Sequence, residues 1–151
     1  MSKKDALLEL KPLLNKAGEF HGHLGPFLVI GVRMGLIGLR ELGIAKNYRQ
    51  LHVTAMVKST VPFTCVLDGI QMTTQCTFGN QKLKVKEFSG IEAEFELENG
   101  EQNVTVAVNP ATFNSIKGEL VARNVSLEEV RQLALKVASI SEEKLFIVKR
   151  G

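Results

Sequence analysis

The chain has 151 residues, 44% of them apolar, and a net charge of +3 from 19 basic and 16 acidic side chains. That is apolar content enough for one domain with a real core. The charges are too dispersed for nucleic-acid binding, which needs basic clusters interleaved with aromatics. Two cysteines and no recognisable secretory leader point to a reducing cytoplasm rather than a disulfide-built secreted protein.

Ala6, Leu7, Leu10, Leu13, Leu14 and Ala17 recur at helical spacing, with Gly18 as the expected stop. Pro12 lies inside this pattern, so the helix is expected to bend or begin there. After the loop His21-Gly22-His23, Pro26 suits the first position of a second helix running to about Leu42, with Gly43 as its cap. The apolar stretch from Leu24 to Leu39 is interrupted by Arg33 and falls short of the ~20 residues of a membrane span, so it reads as a core helix. Gly31, Gly35 and Gly38 leave a notch on it where another backbone, or a second copy of the chain, can approach.

Leu51 to Lys58 alternates as a half-buried strand, with His52 on its polar side. A short helix is expected over about Thr64 to Gln75, with Val66, Leu67 and Ile70 inward. Lys82, Lys84 and Lys86 then alternate with Leu83 and Val85, and Glu92, Glu94 and Glu96 with Ile91, Ala93 and Phe95. A three-residue turn, Phe88-Ser89-Gly90 with a left-handed glycine, would set the lysines opposite the glutamates. A second turn at Asn99-Gly100 would place Val104 opposite Phe95, Val106 opposite Ala93 and Val108 opposite Ile91. The expectation is a three-stranded antiparallel meander over about 82–108. A helical segment around Ala111 to Val121 follows. The capping box Ser126-Leu127-Glu128-Glu129 opens a helix to about Ala138, and Leu145 to Val148 is a last strand. The fold class is α+β, an antiparallel sheet packed with helices in a single domain over 1–151.

Chemistry concentrates at His21 and His23, which on an extended loop would project to one side, and two imidazoles suit zinc or nickel. Cys65 is the candidate third ligand, since free N–H groups and the dipole at a helix start favour a thiolate. Asp68 shares its helix face and could orient a ligating histidine. Cys76 lies about 16 Å further along a continuous helix, too far to share a metal with Cys65 or form a disulfide with it. Arg33, in so apolar a helix, needs a partner: an acidic group of a bound ligand, or a structural salt bridge.

The combined pattern resembles the FmdE-like family of formylmethanofuran dehydrogenase proteins. Its motif His-Gly-His-x-Cys-Pro-Gly matches residues His21 to Phe27, followed by Gly31-x-Arg33. A block Cys-x-x-Asp-Ala-Ile-Gln matches Cys65 to Gln71, and Gly-Cys-Thr-x-Gly matches Gln75 to Gly79. The resemblance spans about residues 18–115. It implies an α+β domain, often dimeric, with a metal site built from histidines and cysteines and a link to one-carbon, molybdenum or tungsten metabolism. Gly25 stands where the family keeps a cysteine, Gln75 replaces a glycine, and Gly69 an alanine. These 151 residues hold no counterpart of the cysteine-rich C-terminal zinc module of longer members.

The leading expectation is a cytoplasmic, homodimeric domain holding a divalent transition metal, zinc or else nickel, through His21, His23 and Cys65. A fourth position is left for water or a small, anionic ligand. Alternatives are a metal- or cofactor-handling module without turnover, and a metal-free thiol enzyme using Cys65 with His21 or His23 as base and Asp68 in support. A further one is anion capture by two converging helix starts near Pro26 and Thr64.

Overall fold

The computed structural model describes residues 3–97, 102–122 and 126–151. The expected turn at Asn99-Gly100 lies outside them. In chain order the elements are α1 (Lys3–His21), α2 (Pro26–Leu42), β1 (Leu51–Val57), α3 (Cys65–Thr74), β2 (Leu83–Glu87) and β3 (Glu92–Leu97). Then follow β4 (Asn103–Val108), α4 (Pro110–Ala122), α5 (Leu127–Ala138), α6 (Glu142–Leu145) and β5 (Phe146–Arg150). The fold is α+β, as the patterning predicts.

Helix α2 organises the rest. Proline opens it where a missing N–H costs nothing, and Gly43 ends it in the left-handed region at φ 67. Every residue from Pro26 to Val32 is buried. The glycine notch is filled from within the chain rather than by a second copy. A methyl built on Gly31 would collide with the Val66 carbonyl, and one on Gly69 with the Leu28 carbonyl and the Val32 nitrogen. Gly38 receives the Phe95 ring. Glycine costs a helix about 1 kcal/mol against alanine; here it lets α2 and α3 touch backbone to backbone, which brings the first turn of α3 beside the start of α2.

Helix α1 runs through both Pro12 and Gly18, contrary to the expected boundary. Leu8 and Pro12 are exposed, so the carbonyl that Pro12 leaves without a donor can meet water. The stop is Gly22 at φ 109, whose N–H returns to the Gly18 carbonyl at 2.8 Å. His21 is therefore the last residue of a helix and not part of an extended loop.

The sheet order is β2-β1-β3-β4-β5. Strands β3 and β4 pair as predicted, with Phe95 opposite Val104 and Ala93 opposite Val106, and Val108 N–H bonds the Ile91 carbonyl. The expected pairing of β2 with β3 does not occur. Strand β1 lies between them, parallel to β2 and antiparallel to β3, so the meander is replaced by a mixed sheet. Gly90 is not left-handed; among the described residues only Gly22 and Gly43 are glycines at positive φ.

The reason lies in what each strand can tolerate. Leu51, Val53, Ala55 and Val57 of β1 are all buried, and its outward His52, Thr54 and Met56 are only partly exposed. In β2 only Leu83 is buried, Val85 is 42% exposed, and lysines fill the outward row. Lysines belong on an edge, where they deter further pairing. Lys84 and Lys86 still share a face with Glu94 and Glu92, but across Thr54 and Met56, about 10 Å apart at the usual strand spacing.

The opposite face, with Val53, Ala55, Ala93, Phe95, Val104 and Val106, is fully buried against the helices. Ser126 caps α5 by accepting the Glu129 N–H at 3.2 Å. Helix α6, a single turn ahead of β5, is too short for any periodicity in the sequence to announce it.

Candidate metal centre

Three segments converge where α1 ends, α2 begins and α3 begins. Gly22 turns the chain sharply enough to bring the His21 and His23 rings to 5.1 Å between centroids, tilted at 43°. A cavity of about 250 Å³ lies beside them, lined by both histidines, Gly25, Phe27, Pro62 and Cys65 among others. Leu120 of α4 and Val130 of α5 complete its apolar wall. The donors that the sequence singled out do share one cavity.

Asp68 is brought across 47 residues of chain to accept a hydrogen bond from His21 Nδ1 at 2.6 Å. With the proton on Nδ1, the lone pair of His21 lies on Nε2, which has no protein partner among the described residues. Gln71 Nε2 donates to the other carboxylate oxygen of Asp68 at 3.3 Å, while its Oε1 accepts from Phe78 N–H at 3.0 Å. Sequence reasoning missed Gln71 as a support; the signal available was its spacing of three from Asp68 on one helix face.

Cys65 departs from expectation. The Cys65, Val66 and Leu67 N–H groups bond the carbonyls of Pro62, Phe63 and Thr64. The turn before α3 has thus engaged the donors that would receive an anion, and the converging-helix-start reading loses one of its two helices. Burial, and then the nearby Asp68 carboxylate, push the Cys65 thiol above its ordinary range. Cys76 is a buried core thiol that donates to the Leu51 carbonyl at 3.4 Å.

Arg33 sits elsewhere, in a cleft with Glu9, Arg40 and Glu142. Its Nη1 donates to the Val137 and Ile140 carbonyls at 2.9 and 2.6 Å, closing the end of α5, and its guanidinium lies 5.5 Å from the Phe146 ring centre. His52 lies on the outward sheet face opposite Glu96.

The donor set suits a borderline transition metal, and a histidine held at Nδ1 by a carboxylate is how ligating histidines are commonly oriented. As they stand, however, no three His, Cys, Asp or Glu side chains among the described residues are grouped so as to hold an ion. His23, exposed on its loop, is the donor least constrained by packing.

This α+β architecture, with a His-Gly-His turn set against a cysteine-bearing helix, defines a family. The family described as FmdE, molybdenum formylmethanofuran dehydrogenase operon, matches residues 20–147, and the chain belongs to it. A crystal structure of a tungsten formylmethanofuran dehydrogenase FmdE-like protein from Syntrophus aciditrophicus superposes with a TM-score of 0.62. It covers 93% of this chain and 71% of that one at 18% identity, a likeness of fold. A protein of Archaeoglobus fulgidus described as a probable S-adenosyl-L-methionine-binding protein is 38% identical over 78 residues, half of this chain and 20% of that protein. The chain thus aligns with only a fifth of that relative's length. No described helix is long and apolar enough to cross a membrane.

Proposed function

We propose that this domain binds a divalent transition metal, zinc or nickel, through His21, His23 and Cys65, in a homodimer of the cytoplasm. The observation that supports this best is the 2.6 Å bond from His21 Nδ1 to Asp68, which leaves Nε2 as the nitrogen free to bind a metal. Three protein donors would leave a position for water or an anionic small molecule, where the metal would supply Lewis-acid polarisation. The chain's own part is to hold His21 in one tautomer through Asp68 and Gln71 and to wall the cavity on one side with the apolar Phe27, Leu28, Leu120 and Val130. A connection to one-carbon or molybdenum and tungsten chemistry follows only from the family's name.

The thiol-enzyme reading gains less support. Burial and Asp68 both raise the Cys65 thiol, the reverse of what a nucleophile needs.

The test is metal content. Untagged protein purified without chelator, together with His21→Ala and Cys65→Ala, is analysed by elemental mass spectrometry before and after loading with zinc or nickel. Near-stoichiometric metal in the wild type, lost in both variants, supports the proposal. A wild-type protein that cannot be loaded overturns it.

A further inference from the structure

A second cavity, of about 420 Å³, lies where the outward face of β4 and β5 meets α4. That is the size of an ordinary small-molecule site. Its lining is of mixed character, with Ile91, Ala107, Val108 and Phe113 as the apolar part. Phe88 and Ile147 stand at its rim, 41% and 40% exposed. It opens into a neighbouring hollow that shares Phe88, Ser89, Phe113 and Lys117 and adds Lys58 and Phe63. Phe27, Phe63 and Phe113 form an aromatic cluster, with ring centres 5.3 to 6.1 Å apart, that separates this site from the histidine cavity.

The charges around it are specific. Lys117 Nζ lies 5.5 Å over the Phe113 ring, Lys149 reaches in from β5, and Lys58 lines the adjoining hollow. None of these lysines is in an ion pair among the described residues. Of the two acidic groups present, Glu87 spends both oxygens on the Ser59 N–H at 3.1 and 3.0 Å, and Glu92 faces the cavity from β3. Three lysines therefore stand against two carboxylates, and in the main cavity itself Lys117 and Lys149 face the single carboxylate of Glu92. Ser89, Thr105 and Asn114 add neutral hydrogen-bonding groups to the lining.

We infer that this cavity is a binding site for a small anionic ligand with a flat, apolar body, which lies between Phe88 and Phe113 with its acid group toward Lys117 and Lys149. Apolar walls with a few convergent polar groups are how such ligands are held and oriented. The site is separate from the histidine cavity and does not depend on its metal.

The dye 1-anilinonaphthalene-8-sulfonate is a flat apolar anion of this class, and N-phenyl-1-naphthylamine is its neutral counterpart. Fluorescence titration of the full chain is expected to give one saturable site for the sulfonate. Lys117→Glu and Lys149→Glu should each weaken it about tenfold, the worth of one charge-assisted contact, and Phe88→Ala should weaken both dyes. All three side chains are at the surface, and circular dichroism checks that each variant folds. Three outcomes overturn the inference: no saturable binding, equal affinity for the neutral dye, or sulfonate binding that survives Lys117→Glu but is lost in His21→Ala.

Discussion

Replacing Asp68 by asparagine removes one negative charge while keeping the side chain's shape and one carbonyl oxygen that can still accept from His21. The bond at stake is short, 2.6 Å from Nδ1 to Oδ2, and the carboxylate is 35% exposed. Hydrogen bonds to a charged group are worth about 1.5–3 kcal/mol and neutral ones about 0.5–1.5. The exchange therefore costs about 1.4 kcal/mol, or tenfold in an equilibrium constant. This agrees with the lower end of the 10–100-fold loss, roughly, seen when a group orienting a metal ligand is altered. Zinc affinity measured by competition with a chromophoric chelator should fall by about that factor. The same charge raises the Cys65 thiol, so in metal-free protein its removal should lower the thiol pKa and speed alkylation by iodoacetamide near neutral pH. Cys76, 1% exposed, should not contribute. Metal affinity and thiol reactivity thus move in opposite directions. An unchanged affinity would refute the role of Asp68 in orienting a ligating His21, and slower alkylation would refute the electrostatic account of Cys65.

Arg33→Leu should leave metal content unchanged, because Arg33 lies in a different cleft from the histidines. It should lower stability by about 2 kcal/mol through the two abandoned carbonyls of Val137 and Ile140, seen as a fall in Tm of about 4–8 °C for a chain of this size. Loss of metal with little change in Tm would instead place Arg33 in ligand binding. Glu142 is held below the ordinary carboxylate range, chiefly by its hydrogen bonds from Arg40. A depressed folded pKa contributes stability above the unfolded value, roughly 4.3, that is lost as pH falls through the folded one. Glu142→Gln should therefore melt below the wild type at neutral pH, with the gap closing in acid; a gap that persists at low pH would show that the pair is not its source.

Much of the fold and part of the site could be read from residue order. Core helix α2 with its Pro26 start and Gly43 end, the Ser126 cap and the β3–β4 register each depend on groups within a few residues of one another. So does the nomination of His21, His23 and Cys65, which rests on residue type in short motifs. Sidedness in the sheet was equally legible, since alternation assigns Leu83, Ala93 and Phe95 to the inner face whatever their neighbours.

Neighbourhood was not legible. Lysines and glutamates of matching spacing suit direct pairing and pairing across a neutral strand alike, and only the burial demanded by β1 put it between β2 and β3. Likewise, residue type alone did not distinguish Gly18 from Gly22 as the end of α1, and the donors at the start of α3 were taken by a turn no periodicity announces. By itself the sequence determined which residues could do chemistry on this protein. The tertiary structure decided that Asp68 holds His21, that Cys65 is a suppressed thiol and that Arg33 closes a helix, because each depends on groups or burial supplied by distant parts of the chain.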